Sequence, residues 1–227
     1  MIMKTIKDIR LYKSEVQNEY GNPITNSFAD KKINAITHRI VMKLRENGFS
    51  LGNFDHLYIN FVTFDMTEKM ELSEKIDRYH PWYRNCFVSI EKELYDGIGA
   101  SATYDYIINT INKVLTTYFV SENFDEVFIN ACVSQVVEQG QRMLIKFKEK
   151  KSTKRKAIIF LRYLDDCIYY PLLRVYDMDE NILFEKNLPK TLVLDYLGEI
   201  QVSTKRITIK PRKNAFTIQR KAMVFEY

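Results

Sequence analysis

Six side chains in this sequence have the chemistry to hold a transition metal, but their spacing argues against it. His38, His56, His80, Cys86, Cys132 and Cys167 are scattered through the chain. None forms the C-x-x-C or H-x-x-x-H spacing that lets one turn or one helix face present two ligands at a tetrahedral angle. No metal is expected. Phosphate cradles fail similarly. The one Gly-x-Gly is Gly97-Ile98-Gly99, and no Lys-Ser or Lys-Thr follows it, so there is neither a P-loop nor a dinucleotide fingerprint, and no cofactor is expected. Covalent catalysis needs a nucleophile on a sharp turn beside a base. No G-x-S-x-G occurs, and Cys86, six residues after His80, reads as a packed core thiol.

Carboxylates offer two further chemistries. The string Phe160-Leu161-Arg162-Tyr163-Leu164-Asp165-Asp166-Cys167-Ile168 resembles the Y-x-D-D hairpin of reverse transcriptases. There the turn presents carboxylates to Mg²⁺, but the chemistry needs another carboxylate from a separate strand. Asp-Asp at a hairpin tip is also ordinary turn chemistry, and no chemistry beyond a turn is expected of it. An unrecognised metal-dependent nuclease is the second. In nucleases of the PD-(D/E)xK kind an acid and a lysine leave a strand end, and Glu149-Lys150-Lys151 with Asp125 upstream offers those residues. In a chain with 29 acidic and 34 basic residues such triplets arise by chance.

Charge is unevenly placed. Residues 142–227 hold 19 Lys and Arg against 10 Asp and Glu, leaving 15 basic and 19 acidic residues in the first 141. Two basic clusters carry the excess: Lys148 to Lys156, expected as an exposed hairpin loop, and Lys205 to Lys213. A nucleic-acid-binding accessory protein would use loops 148–156 and 205–213 to neutralise phosphates, with Tyr163, Tyr169 and Tyr170 as stacking faces. Solvated strand faces give the same pattern, so nucleic acid is the alternative partner here.

The string Tyr79-His80-Pro81-Trp82-Tyr83-Arg84 has another character. It holds the only Trp, among aromatic and cationic neighbours, the composition of a protein-interface hot spot. A loop aromatic folded over the core is the competing reading. Tyr79, His80, Trp82, Tyr83 and Arg84, with Asp165 and Asp166, are the candidate partner-binding residues.

The elements that position these groups come from periodicity. Ile6 to Ser14 suggests a strand, ended by the turn signal Tyr20-Gly21-Asn22-Pro23. A helix follows from Ser27, with Ser27 as N-cap, Asp30 three residues on, apolar Ile33, Ile36, Ile40, Val41 and Leu44, and Gly48 as the stop. His56–Phe64 and Cys86–Ile90 read as strands, Met66–Arg78 as a short helix or loop, and Ser101–Phe119 and Phe124–Val137 as helices. Beyond Gly140 the pattern alternates: Met143–Lys148, Ala157–Tyr163, Cys167–Tyr176, Ile182–Glu185, Thr191–Leu197, Ile200–Ile209 and Phe216–Phe225 are expected strands. Segregated helices and strands argue an α+β fold, with helices packed on an antiparallel sheet and a C-terminal part made mostly of β-hairpins. One domain is expected over residues 1–227, mixed α/β in residues 1–140 and β-rich in residues 141–227. Met1 to Arg10 has no apolar secretory core, no window spans a bilayer, and the cysteines read as reduced, so a cytoplasmic protein with no membrane partner is expected. Oligomeric state is left open.

The order of Trp82-Tyr83-Arg84 entering a strand, a short break, the helix Ser101–Phe119 and then β-hairpins resembles certain immunity proteins of bacterial polymorphic-toxin systems, over residues 55–175. That resemblance implies an intracellular antidote that binds one cognate toxin domain and blocks its active site, without catalysis or cofactor. Charge is the departure. Antidotes to nucleases are usually acidic, whereas this chain carries +5, so a nuclease would have to meet the acidic first half.

Overall fold

In the computed structural model, residues 3–18, 23–215, 217 and 219–227 are described. The chain forms two compact units, 1–140 and 141–227, dividing where the composition changes from mixed to alternating. The fold class is α+β, with hairpins throughout the second unit.

The first unit holds strands β1 (Asp8–Ser14), β2 (Asn26–Ser27), β3 (His56–Val62), β4 (Met70–Leu72) and β5 (Tyr83–Ser89), in sheet order β2-β1-β3-β5-β4. Its edges are antiparallel, but β1, β3 and β5 run parallel in register, Asp8 beside His56 beside Tyr83. Helix α1 (Lys31–Glu46) makes the crossover from β1 to β3 and packs on β1, which is what a parallel pair requires. Helices α2 (Lys92–Gly97), α3 (Tyr104–Tyr118) and α4 (Glu126–Gln139) follow β5. One face of the central strands, Ile9, Leu11, Leu57, Ile59, Phe61, Cys86 and Val88, is buried, as are Ile107, Ile111 and Leu115 of α3.

Several boundaries differ from the sequence reading. The N-cap of α1 is Asp30, not Ser27, and its carboxylate accepts from Lys32 N at 2.8 Å and Ile33 N at 3.0 Å. Asp outranks a more distant Ser because its charge also meets the positive end of the helix dipole. Asp30→Ala is expected to lower unfolding stability by about 1 kcal/mol in urea titrations, and Ser27→Ala to change nothing. The stop at Gly48 is as read, with φ +77° and Phe49 N returning to Leu44 O at 3.1 Å. Strand β5 opens at Tyr83, so the string of candidate residues runs into the sheet. The turn signal at Tyr20-Gly21-Asn22 lies outside the described residues.

The second unit contains β6 (Ile145–Lys151), β7 (Lys156–Tyr163), β8 (Tyr169–Tyr176) and β9 (Ile182–Asn187) in one antiparallel sheet, and β10 (Glu199–Val202), β11 (Arg206–Lys210) and β12 (Met223–Glu226) in another. Lys148–Lys156 is not a loop. Most of it belongs to the paired strands β6 and β7, whose ladder runs to Lys151 beside Lys156. Thr191–Leu197 closes as a 3-10 turn, Leu194–Leu197, and Ile200–Ile209 is a hairpin of two strands. The expected strand from Phe216 shortens to Met223–Glu226, and Phe216 itself lies outside the described residues.

Candidate binding surface on the mixed sheet

Alternation along β1, β3 and β5 sends Arg10, Tyr12, Tyr58, Tyr83 and Asn85 to the face opposite the buried one. Their contacts form a row. The Tyr58 and Tyr83 rings stack with centroids 4.5 Å apart and planes 16° from parallel. Arg10 holds its guanidinium 5.4 Å from the Tyr58 centroid. Because β1 and β5 flank β3 on opposite sides, Tyr58 is held between the two. Tyr12 meets Tyr58 edge-on at 5.5 Å, and Asn60 donates to Asn85 Oδ1 at 3.1 Å. Burial, then neighbouring Tyr12 and Asp8, holds the Tyr58 phenol above its ordinary range against the opposing pull of Arg10, so this ring is neutral at physiological pH.

A groove of about 470 Å³ lies over this row, with Lys75, Ile76, Arg78 and Tyr79 in its lining. The segment is held by Asp77, whose carboxylate accepts from Tyr79 N and His80 N, both at 2.8 Å, and from the Tyr83 hydroxyl at 3.2 Å. Those hydrogen bonds, led by the Tyr79 amide, pull the Asp77 carboxyl below its usual range. The negative charge is thus taken up internally, while Arg78 has no hydrogen-bond or ion-pair partner among the described residues.

The residues expected to bind a partner are therefore divided. Tyr79, 79% exposed, and Tyr83 line the groove. Trp82, 39% exposed, meets the His80 ring edge-on at 4.8 Å and lines a different cavity. Arg84 turns to the buried side. It is 7% exposed, lies 5.0 Å from the Phe54 centroid, and donates to Tyr83 O at 2.7 Å. Its cation serves the fold. Asp165 and Asp166 belong to the second unit, at the tip of the β7–β8 hairpin. Gln141 donates to Asp165 at 2.9 Å, while Asp166 accepts from Ile168 N at 3.1 Å and from the Tyr170 hydroxyl at 2.8 Å. Cys167 takes the left-handed φ of +62° that closes the tip.

The alternative chemistries find their residues occupied. Asp125 caps α4 through Phe128 N at 2.7 Å, and Glu149 lies between Lys151 at 3.2 Å and Lys146 at 3.6 Å. Among the described residues no group of three or more His, Cys, Asp or Glu is arranged to hold a metal ion. Burial pushes the Cys86 thiol up to about 12, which makes it a poor nucleophile. The basic clusters are partly spent within the unit. Lys148 donates to the Leu197 and Gly198 carbonyls, Lys156 pairs with Glu180, and Arg212 with Asp195 at 3.5 Å. No helix among the described residues is long and apolar enough to cross a membrane.

Arg10, Tyr12 and Tyr58 do not stand out in the sequence. Their signal is the alternating polar and aromatic set in Ile6–Ser14 and His56–Phe64, which acquires meaning only once the parallel register brings the two strands together. No family model matches the chain, nor does any curated protein or solved structure.

Proposed function

We propose that this chain is a non-catalytic binding protein that docks a protein partner on the tyrosine face of its first unit, as the resemblance to immunity proteins implies. The observation that carries this reading is the row Arg10–Tyr58–Tyr83. A stacked base needs an open ring face, and both faces of Tyr58 are already occupied. What the row offers instead is ring edges, hydroxyls and a guanidinium in fixed positions. Rigid tyrosines of this kind supply contact area at little entropic cost, which suits a protein surface. Since Asp77 is compensated internally and Arg78 is not, the partner segment seated in the groove is acidic. Inhibition by such a protein is steric: the partner's working surface is covered, and no cofactor is needed.

The test is co-expression with the product of the gene adjacent to its own, followed by calorimetry on the purified pair. A complex is expected, with Tyr83→Ala and Arg78→Glu each weakening it about tenfold. Undiminished affinity of both variants would sink the reading. So would steeply salt-dependent binding of poly(dT), which points to nucleic acid instead.

A further inference from the structure

The N-terminal ends of the parallel strands meet at a second cavity, of about 650 Å³. Lys7, Asp55 and Trp82 each immediately precede one of β1, β3 and β5, and the backbone holds them level. Lys7 N donates to Asp55 O at 2.7 Å, and Asp55 N to Trp82 O at 3.0 Å. Lys4, Arg45 and His56 share the lining.

Charge within this cavity is uneven. The Asp55 carboxylate, 5% exposed, is met by Lys7 at 2.6 Å on one oxygen and by His56 Nδ1 at 2.6 Å on the other. Lys7 and Asp55 cancel. Lys4, on the arm before β1, and Arg45, in the last turn of α1, have no ion-pair partner among the described residues. Two cations thus stand over a cavity that also presents an indole. Asp55 directs the proton of a neutral His56 to Nδ1, so Nε2 is left as a hydrogen-bond acceptor.

We propose that this cavity is a nucleotide site, with phosphates held by Lys4 and Arg45 and the base resting against Trp82. A bare anion would leave the indole unused, and an apolar ring would leave two cations unmet. A nucleoside phosphate satisfies both, and its ribose hydroxyl can donate to His56 Nε2. The volume lies within the range of small-molecule pockets. The site shares no lining residue with the tyrosine groove, so its failure leaves the docking reading untouched.

Trp82 is the only tryptophan, so intrinsic tryptophan fluorescence reports this cavity alone. Titration of the full chain with ADP is expected to change that emission saturably, at about sub-millimolar concentration. Pyrophosphate should compete weakly, and adenosine should not bind. The double variant Lys4→Gln, Arg45→Gln should weaken ADP about tenfold or more while melting like the parent. Lys92→Gln, which alters a cation paired with Glu15 and Asp96 elsewhere, should bind normally. In calorimetry Trp82→Ala should lose affinity for ADP but not for pyrophosphate. The proposal is overturned if several millimolar ADP leaves the emission unchanged, if the double variant binds like the parent, or if pyrophosphate binds as tightly as ADP.

Discussion

Replacing Gly198 with alanine is expected to destabilise the second unit by roughly 3 kcal/mol, a fall of about 10 °C in melting temperature. Gly198 follows the 3-10 turn Leu194–Leu197 and leads into β10, where it passes the chain leaving β11. A Cβ built there stands 2.7 Å from Lys210 O and from the Pro211 carbonyl carbon, and closer still to Arg212 N. All three are backbone atoms, so no side chain can swing aside. They are also anchored, since Arg212 N donates to Asp195 O at 2.7 Å and the Gly198 carbonyl accepts from Lys148. The φ of −69° is ordinary for any residue, so the whole effect is steric crowding, not backbone strain. Gly97→Ala is the control. A Cβ there meets nothing within 4 Å, and its melting temperature should stay within about a degree. Hydrogen exchange should place the loss from Gly198→Ala in β10 and β11. An unchanged melt would mean that the two segments do not approach so closely.

Gly198 also illustrates where the sequence was legible. Local devices were readable: the apolar stripes of α1 and α3, the stop at Gly48, the Asp-Asp hairpin tip and the change of pattern after Gly140 all follow from neighbours a few residues apart. What failed was whatever depends on partners distant in the chain. Nothing near Gly198 announces that Lys210–Arg212 will lie against it. The same limit hid the binding surface. Tyr58 and Arg10 are 48 positions apart and become neighbours only through the register Arg10 beside Tyr58. The string Tyr79–Arg84 looks like one patch because its residues are adjacent, but strand alternation sends Tyr83 to one face and Arg84 to the other. Adjacency in a strand separates side chains, and register gathers them.

Basic residues show the complementary error. Lys148 to Lys156 reads as one solvated loop because a run of charge has no periodicity to betray a strand. Pairing turns some of those side chains back onto the unit. Lys148 lies where burial lowers its affinity for a proton, and it compensates by donating to two backbone carbonyls. A cation used in this way has its hydrogen-bond donors turned onto the unit, so the count of basic residues in the second half overstates the donors its surface presents.

Acidification from pH 6.5 to pH 4 is expected to remove up to about 3 kcal/mol of stability through a single residue, His38. This imidazole lies in α1, and burial, opposed by Asp8 and reinforced by Arg45 and Arg39, pushes its pKa down to about 4. An unfolded histidine titrates near 6.5. Between those values the unfolded chain binds a proton that the folded chain refuses, so unfolding gains free energy as pH falls, and above about pH 7 the effect vanishes. Carboxyls such as Asp30 and Asp55, held below their usual range in the fold, add their own acid sensitivity only below about pH 4, which separates the two windows. Urea unfolding at intervals from about pH 7.5 to about pH 4.5 should show the slope in the parent and a nearly flat profile in His38→Leu. An NMR titration of the parent placing the His38 midpoint near 6.5, or a variant that keeps the slope, would remove the imidazole as its cause. If the slope disappears with His38, the packing of α1 sets the lower pH limit of the first unit, and the tyrosine face carried on β1 and β3 loses its scaffold there.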